Sequence, residues 1–582
     1  MTPRAGVVWW TTVLLGLVVV MVLVARIAGP SDLHQNTDQS KTIAFTGDIV
    51  LNGRWSLPRD SLGQETLKPP LVNWVGAPFV AAFGFHEWTL KMPSILSGLA
   101  TAGLVGLMGA WLIRRVPSGR ERPEHSARGS GAGQRGLEEV KDEEAGGMRV
   151  PPEPVQLGPD AVRRSTGGTP APPEPEVLAV SAGGTPAPPE PEVLAVSAGG
   201  TPAPLMPVAF GLASAGVWIS CPSAVKHVYF LRPDMMMTAL LTGGWALATL
   251  ALAEQRRRRR MLLLGGMWLA AGLAGLTKGP MALLIPAYAV LAALLIHRSG
   301  RRLLRLGWLW GVPIMLAPAA LWLVSAYRVD PEHVRETLLH GELLERLQRG
   351  TTESDPFRVV RALVRVPGFY LERFAPWGVL LAIGLVQIRP RRWLTHPLAP
   401  AVVWVGLVTL VNVLFAGRSG SFVAPAYPAG AILAAYATVR LAHRAGGSAP
   451  AWVAGIALAV AVGVCAHQVF LSRGARTGLG ERIKAFAHDA GQIVRDDPVA
   501  FVGTGHNPVV TLMGRYRAGE PTVQDIAAAK WIVMPPIENA RAVLRTDELV
   551  RVKAQRAVER DRGGLGLYRR EAAQPPLRHE PG

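Results

Sequence analysis

Long apolar runs, punctuated by clusters of arginine, constrain this chain more than any other feature. The chain has 582 residues, of which 49% are hydrophobic. The apolar residues are concentrated in runs of about 18–22, long enough to cross a hydrocarbon layer ~30 Å thick as helices. We predict about eleven spans, at 7–25, 92–113, 206–223, 234–253, 261–277, 280–296, 306–326, 376–388, 398–416, 421–439 and 451–470. The predicted fold class is therefore an α-helical polytopic membrane protein.

The first apolar run is predicted to remain in the protein as a span. It covers about 19 residues, which is long for the core of a secretory signal. No small-x-small cleavage site follows it.

The arginine clusters give the predicted orientation. They follow the second, fourth, sixth, eighth and tenth spans, at 114–115, 256–260, 298–305, 389–392 and 440–444. All five fall on one side of the membrane if the N-terminus is cytoplasmic, as the positive-inside rule requires. This arrangement accounts for the formal net charge of +19 better than nucleic-acid binding does, so we predict no nucleic-acid partner. The outward parts are then the loops 26–91 and 327–375, the short turn around Arg232–Asp234, and the tail after residue 470.

Composition divides the chain into four predicted parts. Residues 1–115 hold two spans and the first outward loop, and residues 206–470 hold the remaining spans. Between them, 116–205 is a cytoplasmic insertion in which GGTPAPPEPEVLAVSA occurs at 167–182 and again at 183–198. A proline-rich repeat of this kind cannot bury a core, so we expect it to be disordered. It is either a docking or spacer arm or simply a tolerated insertion.

The fourth part, residues 471–582, is predicted to be a small extracytoplasmic α/β domain. Residues 479–494 read as an amphipathic helix, and PVAFVG, KWIVMPP and GLGLYRR read as strands.

The loop after the first span carries three sequence signals in a fixed order. Asp38 lies just beyond the span, Gly-Arg-Trp follows at 53–55, and Lys-Pro-Pro follows at 68–70. This order resembles the first extracytoplasmic loop of the polyprenyl-phosphate-sugar-dependent GT-C glycosyltransferases. That superfamily includes the lipid A aminoarabinose transferase and the protein O-mannosyltransferases. The resemblance implies that Asp38 is the catalytic aspartate and acts as general base toward an acceptor hydroxyl.

The same loop departs from the family pattern at three positions. Gln39 stands where the family usually has Glu, Thr42 where it has Tyr, and Leu67 where the aminoarabinose enzymes commonly have Glu.

The resemblance also assigns roles to three charged residues next to apolar runs. Lys278 lies in GLTKGP, a break between two spans, and corresponds to a family lysine that contacts the lipid phosphate. Lys68 matches the lysine of the family's Lys-Pro-Pro and would offer positive charge to a phosphate; the alternative is an interfacial lysine whose charged end reaches the membrane surface. Asp234 begins the fourth span and corresponds to a second family acid, implied to be catalytic or to orient the acceptor. An acid there needs a partner or water, and a structural ion pair with Arg232 is the alternative.

Three further substrate-binding residues are implied for later outward segments. Glu342 and Arg346 lie in HGELLERLQRG, which resembles a family segment, and Arg346 is a candidate phosphate cation. The alternative for this segment is a solvated helix with internal salt bridges. Arg418 lies in GRSGSFVAPAYP and is a further phosphate candidate.

Taken together, these features predict an inverting glycosyltransferase of the hexosyl or pentosyl type in a bacterial inner membrane, with its C-terminal domain periplasmic. It would move a sugar from a polyprenyl-phosphate donor to a lipid A, protein or other envelope acceptor, among the membrane lipids. The sequence specifies no metal site; a divalent cation is the only candidate cofactor. Two alternatives remain: a transporter or flippase of lipid-linked substrates, and a non-catalytic relative.

Overall fold

The computed structural model describes most of the helical part of the chain and several pieces of the tail. The described residues are 37–60, 63–116, 205–344, 357–415, 420–444, 449–467, 479–501, 507–514, 528–534, 549–555 and 565–570, with parts of 17–31. Most of the predicted first span, 7–25, and residues 117–204 of the predicted insertion lie outside them.

The fold is mostly helical. The helices before the arginine cluster at 256–260 are α1 (Thr37–Asn52), α2 (Leu71–Phe83), α3 (Glu87–Ile113), α4 (Leu205–Ser220), α5 (Pro222–His227) and α6 (Pro233–Ala253). The next are α7 (Arg257–Lys278), α8 (Leu284–Leu291), α9 (Gly300–Leu304), α10 (Trp308–Val329) and the π-type helix α11 (His333–Leu344). The last of the bundle are α12 (Arg358–Arg373), α13 (Trp377–Ile388), α14 (Ala399–Leu414), α15 (Tyr427–Arg444) and α16 (Ala449–Ala466).

Five helical segments among the described residues are long and apolar enough to cross a membrane. They are Glu87–Ile113, Pro233–Ala253, Arg257–Ile296, Trp308–Val329 and Gly420–Leu441. A sixth is formed if Val359–Arg373 and Trp377–Ile388 count as one broken span; the helix direction bends by 117° between them. Other predicted spans are shorter than expected: those at 206–223 and 398–416 appear as helices of 16 residues each.

Glycine lets the second and third predicted spans cross closely. A Cβ atom built on Gly211 of α4 would lie 2.4 Å from the carbonyl oxygen of Gly106 in α3. No larger residue fits there without moving one backbone away from the other. Small residues at such crossings are typical of helices that pack within a membrane.

Burial separates central helices from peripheral ones. The span Pro233–Ala253 is 72% buried within the protein, whereas Trp308–Val329 is 17% buried. The latter presents leucines such as Leu309 and Leu321 on its surface. In a membrane protein an apolar surface of this kind faces lipid, so α10 lies at the edge of the bundle and α6 at its centre.

The tail forms a helix packed on a four-stranded sheet. Helix α17 (Leu479–Val494) has the bounds predicted for it, and the strands are β1 (Val499–Phe501), β2 (Trp531–Met534), β3 (Leu549–Gln555) and β4 (Leu565–Arg570), with the short helix α18 (Asn507–Leu512) after β1. The strand order is β1-β2-β4-β3. β1 and β2 are parallel, and the other two pairs are antiparallel. Strand β3 was not predicted.

The tail packs directly against the first outward loop. Lys484 Nζ of α17 lies 3.3 Å from the Glu87 carboxylate at the start of α3. Glu481 accepts a hydrogen bond of 2.9 Å from the backbone N–H of Ser31. The side chain of Thr511 lies against Gly47, where an added Cβ would be 3.0 Å away. The tail therefore fixes α1, the helix on which Asp38 lies.

Candidate active site

A charged pair joins two predicted site residues, Asp234 and Lys278. Asp234 lies in the first turn of α6 and Lys278 is the last residue of α7. Because α6 and α7 run antiparallel along each other, these two ends meet, and Lys278 Nζ donates a hydrogen bond to Asp234 Oδ1. Arg232 Nε lies 3.6 Å from Asp234 Oδ2. The Asp234 side chain is 2% exposed. Its carboxylate is therefore desolvated, whether it serves as a structural partner of Arg232 or as a site residue.

Lys278 lies at the point where helix α7 ends and the chain turns. The backbone at Lys278 has φ −150° and ψ 27°, and Gly279 follows with φ +62°. Only glycine adopts the latter angle without strain, which explains Lys-Gly-Pro at this point. Lys278 Nζ also lies 4.9 Å from the centre of the Phe422 ring. An ammonium group has three donors, so the hydrogen bond to Asp234 leaves capacity for a ligand.

The segment around Phe422 brings another cation to the same region. Asn412 donates a hydrogen bond of 3.0 Å to the Phe422 carbonyl oxygen and so holds this segment. Arg373, at the end of α12, lies against Gly420, where an added Cβ would be 2.5 Å from Arg373 Nε. That Nε is buried and has no hydrogen-bond partner among the described residues. Sequence analysis did not single out Arg373.

A buried histidine is the second residue that sequence analysis missed. His227 ends α5 and is 6% exposed, with its ring edge-on to Phe230. Burial lowers the pKa of His227 to about 4, although the nearby Asp234 carboxylate opposes this shift. The imidazole is therefore neutral at pH 7.

The first turn of α1 contacts the segment that leads into Asp234. Gln39 is fully buried, and its side-chain oxygen accepts a hydrogen bond of 3.0 Å from the backbone N–H of Leu231. Asp38 lies beside it in the same turn, while its side chain lies outside what the structure describes. The structure thus brings the backbone of the first candidate acid next to the chain leading to the second.

A buried carboxylate shapes the turn after α1. Asp48 accepts hydrogen bonds of 2.7 Å from both Asn52 Nδ2 and the Arg59 backbone N–H. Burial raises the pKa of Asp48, while these hydrogen bonds and Arg54 oppose the shift. Gly53 has φ +67°, so the Gly-Arg-Trp signal marks a left-handed turn held by this carboxyl group.

Lys68 lies in a loop that packs on the end of α7. The lysine is partly buried, and Thr66 donates a hydrogen bond of 2.7 Å to its carbonyl oxygen. Nearby Leu57 and Leu71 share a buried cluster with Leu276, two residues before Lys278. The two predicted phosphate lysines therefore belong to neighbouring, packed segments.

The loop that precedes Lys68 also contacts the long outward loop 327–375. His333 Nδ1 at the start of α11 lies 3.5 Å from Glu65 Oε2. Its other ring nitrogen lies 3.3 Å from the Thr66 carbonyl oxygen. These contacts attach the helix that carries the backbone of Glu342 to the Lys68 loop.

The remaining predicted residues are beyond what the structure describes. Arg346 and Arg418 lie outside the described residues, and so does the side chain of Glu342. Their roles remain predictions.

The described residues contain no group of three or more His, Cys, Asp or Glu side chains arranged to hold a metal ion. The divalent cation named as a candidate cofactor therefore has no assigned ligands here.

Comparison with solved structures places this geometry in a known fold. The structure of ArnT from Cupriavidus metallidurans bound to undecaprenyl phosphate matches with a TM-score of 0.60 and 14% sequence identity. That match covers 96% of this chain and 98% of the solved one. The apo form of the same protein matches with a TM-score of 0.59 at 14% identity, over 96% and 97% of the two chains. This chain has the ArnT fold.

This match confirms the predicted α-helical polytopic fold over nearly the whole chain. Sequence comparison is less informative. No family model matches. An uncharacterized protein of Aquifex aeolicus is 28% identical over 169 residues. That match spans 29% of this chain and 31% of the relative, so less than a third of the relative's length is covered.

Proposed function

We propose that this chain is an integral membrane glycosyltransferase that transfers a sugar from a polyprenyl-phosphate donor to an envelope acceptor. The observation that carries the proposal is the desolvated Asp234–Lys278 pair at a helix break, within the ArnT fold. A cation already in position at this break would stabilise the negative charge that develops on the donor phosphate as its bond to the sugar breaks.

The site and the fold support the proposed donor class. One solved ArnT structure contains undecaprenyl phosphate, which supports a polyprenyl-phosphate partner here. Lys278 carries two N–H donors beyond the one given to Asp234. Lys68 and Arg346 are proposed to supply further positive charge, and Glu342 and Arg418 complete the proposed substrate-binding set.

The proposed reaction is a direct displacement. The acceptor hydroxyl oxygen attacks the anomeric carbon, the bond from that carbon to the phosphate oxygen breaks, and the configuration inverts. Asp38 takes the acceptor proton as general base, and polyprenyl phosphate leaves as the anion. Asp234 holds Lys278 in place and orients the acceptor. The acceptor is lipid A, a protein hydroxyl or another envelope glycan, on the periplasmic face of the inner membrane.

A transporter or flippase of lipid-linked substrates is the rival proposal. Transporters place charged sites near the bilayer midplane, often on broken helices. Here Asp234 is the second residue of α6 and Lys278 the last of α7. Both charges therefore lie at the mouths of the bundle, which favours surface chemistry on a membrane-borne substrate.

Mass spectrometry of envelope lipids and glycoproteins tests the proposal in cells. Cells that lack the protein are complemented with wild type, with Asp38→Asn, or with Glu332→Gln, an exposed carboxylate on the long outward loop. Membrane abundance is matched. We expect one glycan mass increment to vanish on deletion, to return with wild type and Glu332→Gln, and to stay absent with Asp38→Asn. Full restoration by Asp38→Asn would exclude Asp38 as the base.

A further inference from the structure

A cavity lined by arginines lies at the other end of the bundle from the candidate active site. Its lining includes Arg260 of α7, Arg302 of α9 and the adjacent Arg305, with Leu252 and Glu254 from the end of α6. Its volume is about 50 Å³, several times the roughly 10–15 Å³ that one water molecule needs. Leu252 is 18 residues from Asp234 along α6, which is about 27 Å of helix.

Arg302 is held in place by hydrogen bonds, and Arg260 and Arg305 keep unused donors. Arg302 NH1 donates to the Leu252 carbonyl oxygen at 2.9 Å and to His297 Nδ1. Burial and the adjacent Arg302 lower the pKa of His297 to about 4, so the neutral ring accepts this bond. Arg260 Nε is buried and makes no hydrogen bond within the described residues. Arg305 likewise shows no side-chain hydrogen bond there.

The charge of the cavity suits an anion. Three arginines face one carboxylate, Glu254, and that carboxylate already accepts a hydrogen bond of 2.8 Å from the Arg256 backbone N–H. Guanidinium groups bind phosphate oxygens through paired N–H donors. A topological role alone requires positive charge on this side of the membrane, but not three guanidinium groups around one cavity.

Two exposed leucines stand close in sequence to the lining arginines. Leu304 and Leu309 flank the lining residues and are 79% and 94% exposed. In a membrane such side chains meet acyl chains. A phosphate group carried by a lipid would therefore present its tails to these leucines and its headgroup to the arginines.

We propose that this cavity is a phosphate-binding site, on the side of the membrane opposite the Asp234–Lys278 pair. The phosphate belongs either to an acidic phospholipid or to free inorganic phosphate. Binding there would tie the end of α6 to α7 and α9 and so stabilise the bundle.

Thermal unfolding of the purified full chain in neutral detergent tests this proposal. The melting temperature is measured with added phosphatidylglycerol, phosphatidylcholine or inorganic phosphate at fixed ionic strength. The variant Arg260→Gln/Arg305→Gln removes two cavity donors. The matched control Arg258→Gln/Arg259→Gln removes the same charge from exposed positions of the same helix turn. Native mass spectrometry counts the lipids that remain bound.

The proposal expects a rise of several degrees with phosphatidylglycerol over phosphatidylcholine in wild type and control, halved or lost in the cavity variant. A selective rise with inorganic phosphate alone would support the same site with free phosphate as its ligand. Equal responses of the two double variants, or no response to either anion, would overturn it. If the double cavity variant does not fold, Arg305→Gln alone, at an exposed residue, replaces it with the same expected direction.

Discussion

The side-chain oxygen of Gln39 accepts a hydrogen bond of 3.0 Å from the backbone N–H of Leu231. This bond joins the first turn of α1, where Asp38 lies, to the segment that leads through Arg232 into Asp234. Gln39 departs from the family's usual Glu, yet either side chain offers an oxygen acceptor. The departure is therefore compatible with the same connection between the two acidic segments.

The first prediction concerns this bond. Gln39→Ala leaves the buried Leu231 N–H without a partner, which costs about 1–3 kcal/mol. Gln39→Glu keeps an acceptor, and with its buried carboxyl group protonated it adds no buried charge, so it should lose less. We expect the melting temperature and glycan transfer to fall in the order wild type, Gln39→Glu, Gln39→Ala. Equal values for the two variants would mean that the accepted hydrogen bond does not matter.

The second prediction concerns the Asp234–Lys278 pair. Lys278→Gln leaves a buried carboxylate without its closest cation, and breaking a buried pair in this way costs about 3–5 kcal/mol. The double variant Asp234→Asn/Lys278→Gln leaves no such charge, so it should be more stable than Lys278→Gln. Thermal unfolding in detergent measures both. If the stability losses of the single substitutions simply added in the double variant, the pair would not be coupled. We also expect both variants to be inactive in glycan transfer.

The third prediction concerns His227 and pH. Its pKa is about 4 in the folded protein, below its ordinary value near 6.5. Between these values the unfolded state binds a proton that the folded state does not, so stability falls as pH falls from about 6.5 toward 4. The melting temperature of His227→Gln should therefore depend less on pH in this window. His467→Gln, at an exposed position, serves as control and should follow wild type; a His227→Gln profile parallel to wild type would refute the assignment.

The fourth prediction concerns the attachment of the tail to α3. Glu87 forms an ion pair of 2.6 Å with Lys91, which is fully buried. Its second partner, Lys484, is 40% exposed. Glu87→Gln leaves the Lys91 charge buried, so we expect a loss of about 3–5 kcal/mol. Lys484→Gln removes an exposed partner and should cost about 1 kcal/mol or less. Thermal unfolding of both variants checks this order, and the reverse order would contradict it.

The helical fold was predictable because each membrane span is a continuous run of apolar residues, which the sequence shows directly. Helices such as α6 and α7 follow from apolar runs and from Lys-Gly-Pro at their break. The unpredicted strand β3 carries a visible signal, since Val550, Arg551, Val552 and Lys553 alternate apolar and basic side chains. The assignment of 479–494 as a helix succeeded because its apolar spacing is strictly helical.

The site was only partly predictable. Asp234 and Lys278 stand out singly, because charges beside apolar runs are costly. The sequence also indicates that they pair. Helices α6 and α7 have similar lengths and are joined by a three-residue loop, so they run antiparallel. The start of α6, with Asp234, therefore lies beside the end of α7, with Lys278. Arg373 and His227 have no motif around them. They join the site only through packing, which the sequence does not display.

The most direct test of the account measures the donor lipid in detergent solution, without a bilayer. Purified protein is mixed with a detergent extract of envelope lipids, glycans and proteins from cells that lack it, and sugar-bearing and free polyprenyl phosphate are quantified by mass spectrometry. A glycosyltransferase releases one polyprenyl phosphate for each glycan increment, and Asp38→Asn should slow this by about 100-fold or more. A flippase has no second leaflet to act on, so unchanged donor with wild-type protein would contradict the account.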